Sequence, residues 1–175
     1  MAYTLQQLSD MEDIRVIKHR YFRGIDTADM ALLSPLFTDD ITVEYRGGGY
    51  RVELRGHADM MTFLANSFHS GAVAMHHGHM PEITITGENE AEGIWCLEDI
   101  FIDLERKFHT YGSAIYHDRY RRVDGVWKIA HSEYDRVIEV MQPIDANAKI
   151  TMQHLAKSGL QPDQRTDISH MIKWD

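Results

Sequence analysis

The chain has 175 residues, of which 43% are hydrophobic, and its formal net charge is −9. This length and composition indicate one globular domain with a sizeable core, and no apolar run is long enough to cross a bilayer. Binding to nucleic acid requires a basic surface that can neutralise phosphates. We therefore expect neither a nucleic-acid partner nor a membrane partner.

The cellular compartment is suggested by the N-terminus and the cysteine content. The segment MAYTLQQLSDMEDI carries acids and polar groups where a secretory signal would have basic residues followed by an apolar stretch. Cys96 is the only cysteine, so an internal disulfide is impossible and a reducing compartment is favoured. We expect a cytoplasmic protein.

The first part of the chain combines helices with a hairpin. Residues 5–23 carry an apolar stripe at spacings of three and four, which predicts a helix. A second, short helix is interrupted near Pro35. Alternation over 41–45, the glycines of RGGGY and a second run over 51–54 predict a β-hairpin, and helical spacing returns over 57–68. The stripe of the first helix consists of Leu5, Leu8, Met11, Ile14, Ile17 and Tyr21.

The later part of the chain is dominated by strands. Strand patterns cover residues 73–86, 91–104, 109–123 and 126–138, with turn signals at 87–89 and 124–125. Helices followed by consecutive strands favour an α+β domain over a parallel βαβ arrangement. We expect a curved antiparallel or mixed sheet of about six strands wrapped around three helices.

The division of the chain is expected near residue 140. Residues 1–140 would form the α+β domain. Residues 141–175 contain two prolines and two weak helical stretches without strand character. They are predicted to form a C-terminal extension that could act as a lid, contact another subunit or simply pack on the outside.

Three histidines lie within four positions in the segment GAVAMHHGHMPEITITG. Successive side chains of a strand point to opposite faces, so His76 lies on one face and His77 and His79 on the other. Three ligands cannot converge from one strand, and Cys96 is the only thiol that a zinc site could recruit. We therefore expect no metal site, and place His77 and His79 on the solvated face.

His76 has two interpretations. A histidine taken alone is most simply a core residue whose ring bonds to a backbone group. A curled sheet, however, would bring His76 opposite the end of the first helix, where YFRGID places Tyr21 and, just beyond the helix, Asp26. Asp26 is either a cap or turn residue, or it reaches inward to Nδ1 of His76 and strengthens the imidazole as a base. In the second case the pair forms a general base.

Three segments resemble the SnoaL-like branch of the nuclear transport factor 2-like superfamily: YFRGIDTADMALLSPLFTDDITVEY, AMHHGHMPEITITG and YRRVDGVWKIAH. Together they span most of residues 10–135. The similarity is to scytalone dehydratase, bile-acid 7α-dehydratase and hexachlorocyclohexane dehydrochlorinase in particular. It implies a cone of curved sheet and three helices that opens to a small-molecule pocket, and it implies a homodimer or homotrimer.

The resemblance also implies site residues. In these lyases an aspartate at the end of the first helix and a histidine on the third strand form a catalytic dyad, which corresponds here to Asp26 and His76. Tyr21 matches a catalytic tyrosine. Phe101 and Tyr116 stand where scytalone dehydratase has a histidine and an amide, so the substrate is not expected to be scytalone. The implied substrate-binding residues are Tyr45, Asp99, Phe101 and Tyr116.

The residues and the resemblance together predict a lyase that needs no cofactor. His76 would remove a proton beside a carbonyl or at another activated carbon, and a β leaving group such as water would depart. No GxGxxG or GxxxxGK[ST] motif is present, so no organic cofactor is expected. The substrate would be small, hydrophobic and cyclic or polyketide-like. An isomerase or epoxide hydrolase of the same fold and a non-catalytic small-molecule-binding module remain alternatives.

Overall fold

The computed structural model describes residues 2–175. Within them the α-helices are α1 (Leu5–Asp26), α2 (Met30–Leu33) and α3 (His57–Ser67). One sheet is formed by β1 (Phe37–Arg46), β2 (Tyr50–Arg55), β3 (Ala72–Ile85), β4 (Glu90–Asp103), β5 (Phe108–Val123), β6 (Val126–Pro143) and β7 (Ile172–Trp174). Short 3₁₀ segments cover Ser34–Leu36, Leu155–Ser158, Pro162–Gln164 and Ser169–Met171.

The sheet is mixed, with the strand order β3-β4-β5-β6-β1-β2-β7. Neighbouring strands are antiparallel except β1 and β6, which pair in parallel. The hairpin β1–β2 therefore extends the four-stranded meander β3–β6. The predicted α+β layout is confirmed.

Helix α1 shows why the sequence pattern was informative and where it was wrong. Thr4 caps the helix: its hydroxyl accepts from Gln7 N, and the Gln7 side chain accepts from Thr4 N. The apolar stripe is buried only from Met11 onwards. Leu5 and Leu8, at the start of the helix, are 87% and 48% exposed. Asp26 is the last residue of the helix and not the residue beyond it.

The C-terminal segment differs from its prediction. It was expected to lack strand character, but Ile172–Trp174 form β7, a seventh strand that pairs antiparallel with β2. Before β7 the segment is held against the rest of the domain by two contacts. Arg165 forms a bidentate pair with Glu105, and Thr166 N donates to Asn66 Oδ1 over 2.7 Å. Without β7, the unpaired edge of β2 would be exposed to solvent.

The core lies between the inner face of the sheet and helices α1 and α3. It is rich in aromatic side chains, including Trp95, Tyr120 and Phe37, which are almost completely buried. Among residues 2–175, no helix combines the length and the hydropathy needed to cross a membrane.

Candidate active site

A cavity of about 250 Å³ lies between the inner face of the sheet and helices α1 and α3. Most of its wall is apolar, as in small-molecule sites generally. The sequence-predicted residues that line it are His76, Tyr21, Tyr45, Asp99, Phe101 and Tyr116. Asp26 does not face the cavity directly but supports the ring of His76 from behind.

Asp26 and His76 are in direct contact, although they are fifty positions apart. Asp26 Oδ1 lies 2.6 Å from His76 Nδ1, and Asp26 Oδ2 accepts from the backbone N of His76 over 3.0 Å. The carboxylate therefore holds both the strand and the ring. Since a carboxylate acceptor places the ring proton on Nδ1, the lone pair of Nε2 is free to act as a base.

The surroundings of His76 restrict the ring further. The Phe22 ring stacks on the imidazole with centroids 6.1 Å apart, and the Phe68 ring meets it edge-on at 5.5 Å. The His76 side chain is 8% exposed and that of Asp26 is 21% exposed. The dyad is thus shielded from bulk water but remains at the cavity wall.

A row of tyrosines crosses the sheet opposite α1. Tyr116 on β5 pairs in register with Tyr134 on β6, which pairs with Tyr45 on β1. The rings of Tyr45 and Tyr134 stack with centroids 4.4 Å apart. Tyr21 of α1 joins the row because its hydroxyl lies 3.2 Å from that of Tyr45. The polar side of the cavity is therefore built from phenols.

These phenols remain neutral well into the alkaline range. Burial raises the pKa values of Tyr21 and Tyr45 well above the usual 10.0, and neighbouring tyrosines raise them further. Burial likewise raises the pKa values of Tyr116 and Tyr134. A neutral phenol keeps its proton and can donate a hydrogen bond to an oxygen that gains negative charge.

A second row of register partners carries charge. His76 on β3 pairs with Asp99 on β4, which pairs with Gly112 on β5 and then Glu139 on β6. Asp99 is buried and is not the solvated acid that the sequence alone would allow. Arg136 forms a bidentate pair with it, in which Nη2 lies 2.9 Å from Oδ2.

Gly112 makes the pairing of Asp99 with Arg136 possible. The ladder between β5 and β6 shifts by one residue between Ser113 and Ala114, which brings Arg136 across the strand. A Cβ atom at position 112 would lie 3.1 Å from Arg136 Nη1 and 2.6 Å from the backbone oxygen of Ile138. Glycine in the middle of this strand therefore marks a close approach between neighbouring strands.

Phe101 and Tyr116 both line the cavity. Phe101 lines the cavity, and its ring meets that of Phe68 edge-on with centroids 6.2 Å apart. Tyr116 is buried, and the ammonium of Lys18 lies 3.6 Å from its ring centroid. Phe101 is thus an apolar wall residue, whereas Tyr116 contributes a phenol to the wall.

Sequence reasoning missed three charged groups close to the site, namely Arg136 and the two members of the buried pair Lys18–Asp118. Lys18 Nζ lies 2.7 Å from Asp118 Oδ2, and both side chains are fully buried. Lys18 follows Ile14 by four positions and so belongs to the apolar stripe of α1, which was a usable signal. No comparable sequence pattern pointed to Arg136, because its contact with Asp99 depends on the register shift between β5 and β6.

The other histidines of β3 do not join the site. His77 is exposed and His79 is partly exposed, in register with Glu98 and Cys96 on the opposite face from His76. Within the described part of the chain, no cluster of three or more His, Cys, Asp or Glu side chains is placed to hold a metal ion.

Comparisons with known proteins agree with this architecture. A family model described as a SnoaL-like domain matches residues 6–133. A hexachlorocyclohexane dehydrochlorinase from Novosphingobium barchaimii has a similar structure, with a TM-score of 0.70 and 18% identity over 85% of this chain and 99% of its own. A candidate scytalone dehydratase from Novosphingobium aromaticivorans is also similar, with a TM-score of 0.69 and 20% identity over 82% of this chain and 97% of its own.

A third similar structure has no known activity. It is a nuclear transport factor 2-like protein from Pseudomonas putida, with a TM-score of 0.59 and 14% identity over 73% of this chain and 87% of its own. At such identities the likeness shows the fold, and folds of this kind carry several functions. The fold expected from the sequence is confirmed.

Proposed function

Because the chain belongs to the SnoaL-like domain family, we propose that it is a cofactor-independent lyase, a dehydratase or a mechanistically related enzyme. The substrate would be a small hydrophobic molecule, cyclic or polyketide-like, bound in the cavity. The observation that carries the proposal is the 2.6 Å contact between Asp26 and His76 at the cavity wall. Two proteins with similar structures have names that denote eliminations, a dehydrochlorinase and a candidate dehydratase.

His76 is the proposed base. With its Nδ1 proton donated to Asp26, its Nε2 takes a proton from a carbon next to a carbonyl. The imidazolium that forms is stabilised by the carboxylate of Asp26, which also keeps the ring oriented. Phe22 and Phe68 limit the rotation of the ring, so little reorganisation is needed during the reaction.

Tyrosine hydroxyls are the proposed donors to the enolate oxygen. Tyr21 and Tyr45 share one hydrogen bond between their hydroxyls, which leaves the second phenolic proton free for the substrate. Their raised pKa values keep both phenols protonated. Removing one donor of this kind from an active site costs about 10²- to 10³-fold in kcat.

The elimination is completed by loss of the leaving group. The electron pair of the broken C–H bond forms the C=C bond, and the C–O bond to the β-hydroxyl breaks. The proton held on His76 Nε2 can pass to the departing oxygen, so water leaves and the imidazole returns to its neutral form. Asp99, Phe101 and Tyr116, which line the same cavity as His76, are proposed to position the substrate.

A panel of cyclic β-hydroxy-ketones, assayed for water loss by the absorbance of the enone product, tests the proposal. We expect turnover by the wild type and a fall in kcat of at least about 100-fold in His76→Ala and Asp26→Asn. His77→Ala, on the same strand but exposed, should leave kcat unchanged. Near-normal turnover in both dyad variants, with fold retained, would refute the proposal; a rearranged isomer as product would instead identify an isomerase.

Self-association is also proposed. One apolar row crosses the outer face of the sheet, formed in register by Met75, Ile100, Tyr111 and Val140. Met75, Tyr111 and Val140 are exposed in the single chain. An exposed apolar surface of this kind is typical of a subunit contact, and a homodimer or homotrimer would cover it. Light scattering on the purified protein would measure the assembly size.

A further inference from the structure

We propose that the cavity selects uncharged substrates and rejects carboxylates and phosphates, and that Glu139 is a specificity-determining residue for this selection. The inference rests on the proposed function, because it names the class of substrate for the same site. It follows from the arrangement of charges around the cavity, which the sequence did not reveal.

The guanidinium of Arg136 lines the cavity but is already occupied. Asp99 accepts from both Nη1 and Nη2, and Glu139 Oε1 lies 3.3 Å from Nε as an ion-pair partner, without forming a hydrogen bond to it. The side chains of these three residues are 10%, 2% and 15% exposed, respectively. An incoming anion would have to displace a buried carboxylate from a bidentate pair, which is unfavourable in a poorly hydrated site.

The charges at the cavity wall sum to a negative value. Two carboxylates at the wall, those of Asp99 and Glu139, outnumber the one guanidinium of Arg136. The Asp26 carboxylate adds a further negative charge behind the ring of His76 when that imidazole is neutral. The ammonium of Lys18 does not alter this balance, because Asp118 neutralises it behind the tyrosines. A substrate anion would therefore be repelled as well as desolvated.

The remaining nearby cations face away from the cavity. Arg51 and Lys173 pair in register on β2 and β7, and they alternate with Tyr50, Val52, Ile172 and Trp174, which line the cavity. Arg51 and Lys173 thus lie on the outer face, where Lys173 pairs with Glu53. Neither can act as the counterion of a bound anion.

The same wall suits a neutral molecule that carries a hydroxyl group. Glu139 lines the cavity and contacts Arg136 through Oε1, so Oε2 can accept from a substrate hydroxyl. Thr110, also on the wall, offers a hydroxyl of its own. With phenols on the other side, the cavity provides donors for a carbonyl and acceptors for a hydroxyl. The class is an uncharged cyclic hydroxy-ketone.

The test compares two ligands of nearly equal shape, 2-acetylnaphthalene and 2-naphthoate, near neutral pH. Binding is measured by titration calorimetry or ligand-observed NMR on the full chain, so no turnover is needed. We expect the ketone to bind at least about tenfold more tightly than the carboxylate. Glu139→Gln should reduce this ratio by about threefold or more, because one of the repelling charges is removed.

Glu98→Gln is the matched control. Glu98 lies next to Asp99 on β4 but on the outer face, where its carboxylate accepts from Tyr111 OH over 3.1 Å. The substitution Glu98→Gln removes the same charge from the protein without altering the cavity, so the ratio of ketone to carboxylate affinity should not change.

Equal or tighter binding of the carboxylate by the wild type would overturn the proposal, and so would binding of neither compound. An equal effect of Glu98→Gln and Glu139→Gln would overturn the role of Glu139. If the protein binds the ketone selectively but turns over no hydroxy-ketone, the proposal of selectivity for uncharged ligands is supported and the proposed elimination is refuted.

Discussion

Asp118→Asn should strongly destabilise the protein, because the Asp118 carboxylate is the counterion of a buried ammonium. Lys18 Nζ lies 2.7 Å from Asp118 Oδ2, and both side chains are fully buried. The carboxylate also accepts from Tyr120 OH and Ser132 Oγ, each over 2.8 Å. Burial lowers the pKa of Lys18, and the nearby carboxylate offsets this only in part.

The size of the effect follows from these contacts. Removing one partner of a buried ion pair costs about 3–5 kcal/mol, because the other charge is left without compensation. In a domain of this size each kcal/mol lowers Tm by about 2–4 °C, so a fall of roughly 6–20 °C is expected. The control Asp40→Asn removes an exposed carboxylate paired with Arg121 and should cost at most about 1 kcal/mol.

Urea and thermal unfolding followed by circular dichroism would measure both variants. The cost of Asp118→Asn relative to the wild type should shrink as the pH rises from about 7 to about 9. The reason is that burial lowers the pKa of Lys18 while the Asp118 carboxylate raises it. Without that carboxylate the pKa in the folded variant falls below that in the folded wild type, whereas both unfolded chains keep the ordinary 10.5, so the variant gains more stability as the pH rises. A cost equal to that of Asp40→Asn, or one that grows with pH, would refute this account of the pair.

Three further predictions concern the sheet, the C-terminal strand and the tyrosines. Gly112→Ala should lower the free energy of unfolding in urea by about 1–3 kcal/mol, because the new Cβ would lie 2.6 Å from the Ile138 oxygen. The control Gly48→Ala has open space around it and should be nearly neutral, so equal costs would contradict the close approach at Gly112. Trp174→Ala should raise KM about three- to tenfold with little change in kcat, because the indole lines the cavity away from the dyad. Trp174→Phe should bring KM most of the way back to the wild-type value. A lower kcat at constant KM would exclude a role of Trp174 in the cavity wall. Stability should be unaffected by tyrosine ionisation below pH 10.0 and should fall above it, because the unfolded chain loses phenolic protons that the fold retains; tyrosinate absorbance that reaches its full value before unfolding would contradict this. The buried phenols with raised pKa values are Tyr21, Tyr45, Tyr116, Tyr120 and Tyr134.

The local elements could be predicted from the sequence because they depend on periodicity. The stripe from Met11 to Tyr21, the alternation around Val43 and the turn at 124–125 correspond to α1, β1 and the β5–β6 turn. The contact between Asp26 and His76 was one of two interpretations that the residues left open, and the resemblance to SnoaL-like lyases implied it. The helix, the strand and the turn are set by patterns within single segments.

The missed features depend on how separate segments meet. Arg136 reaches Asp99 only because the ladder shifts beside Gly112, and a shift of one residue leaves no clear mark in the sequence. The strand Ile172–Trp174 has three residues and forms because β2 offers an unpaired edge. Tertiary context thus decided both the charged wall of the cavity and the end of the chain.

The central claim is that Asp26 and His76 act together as one base on a carbon acid bound in the cavity. The most direct measurement is the exchange of α-protons of a small cyclic ketone in D₂O, followed by NMR, because it requires no leaving group. The account predicts exchange catalysed by the wild type and slowed at least about 100-fold in His76→Ala and in Asp26→Asn. Catalysed exchange that survives both substitutions in folded protein would contradict it.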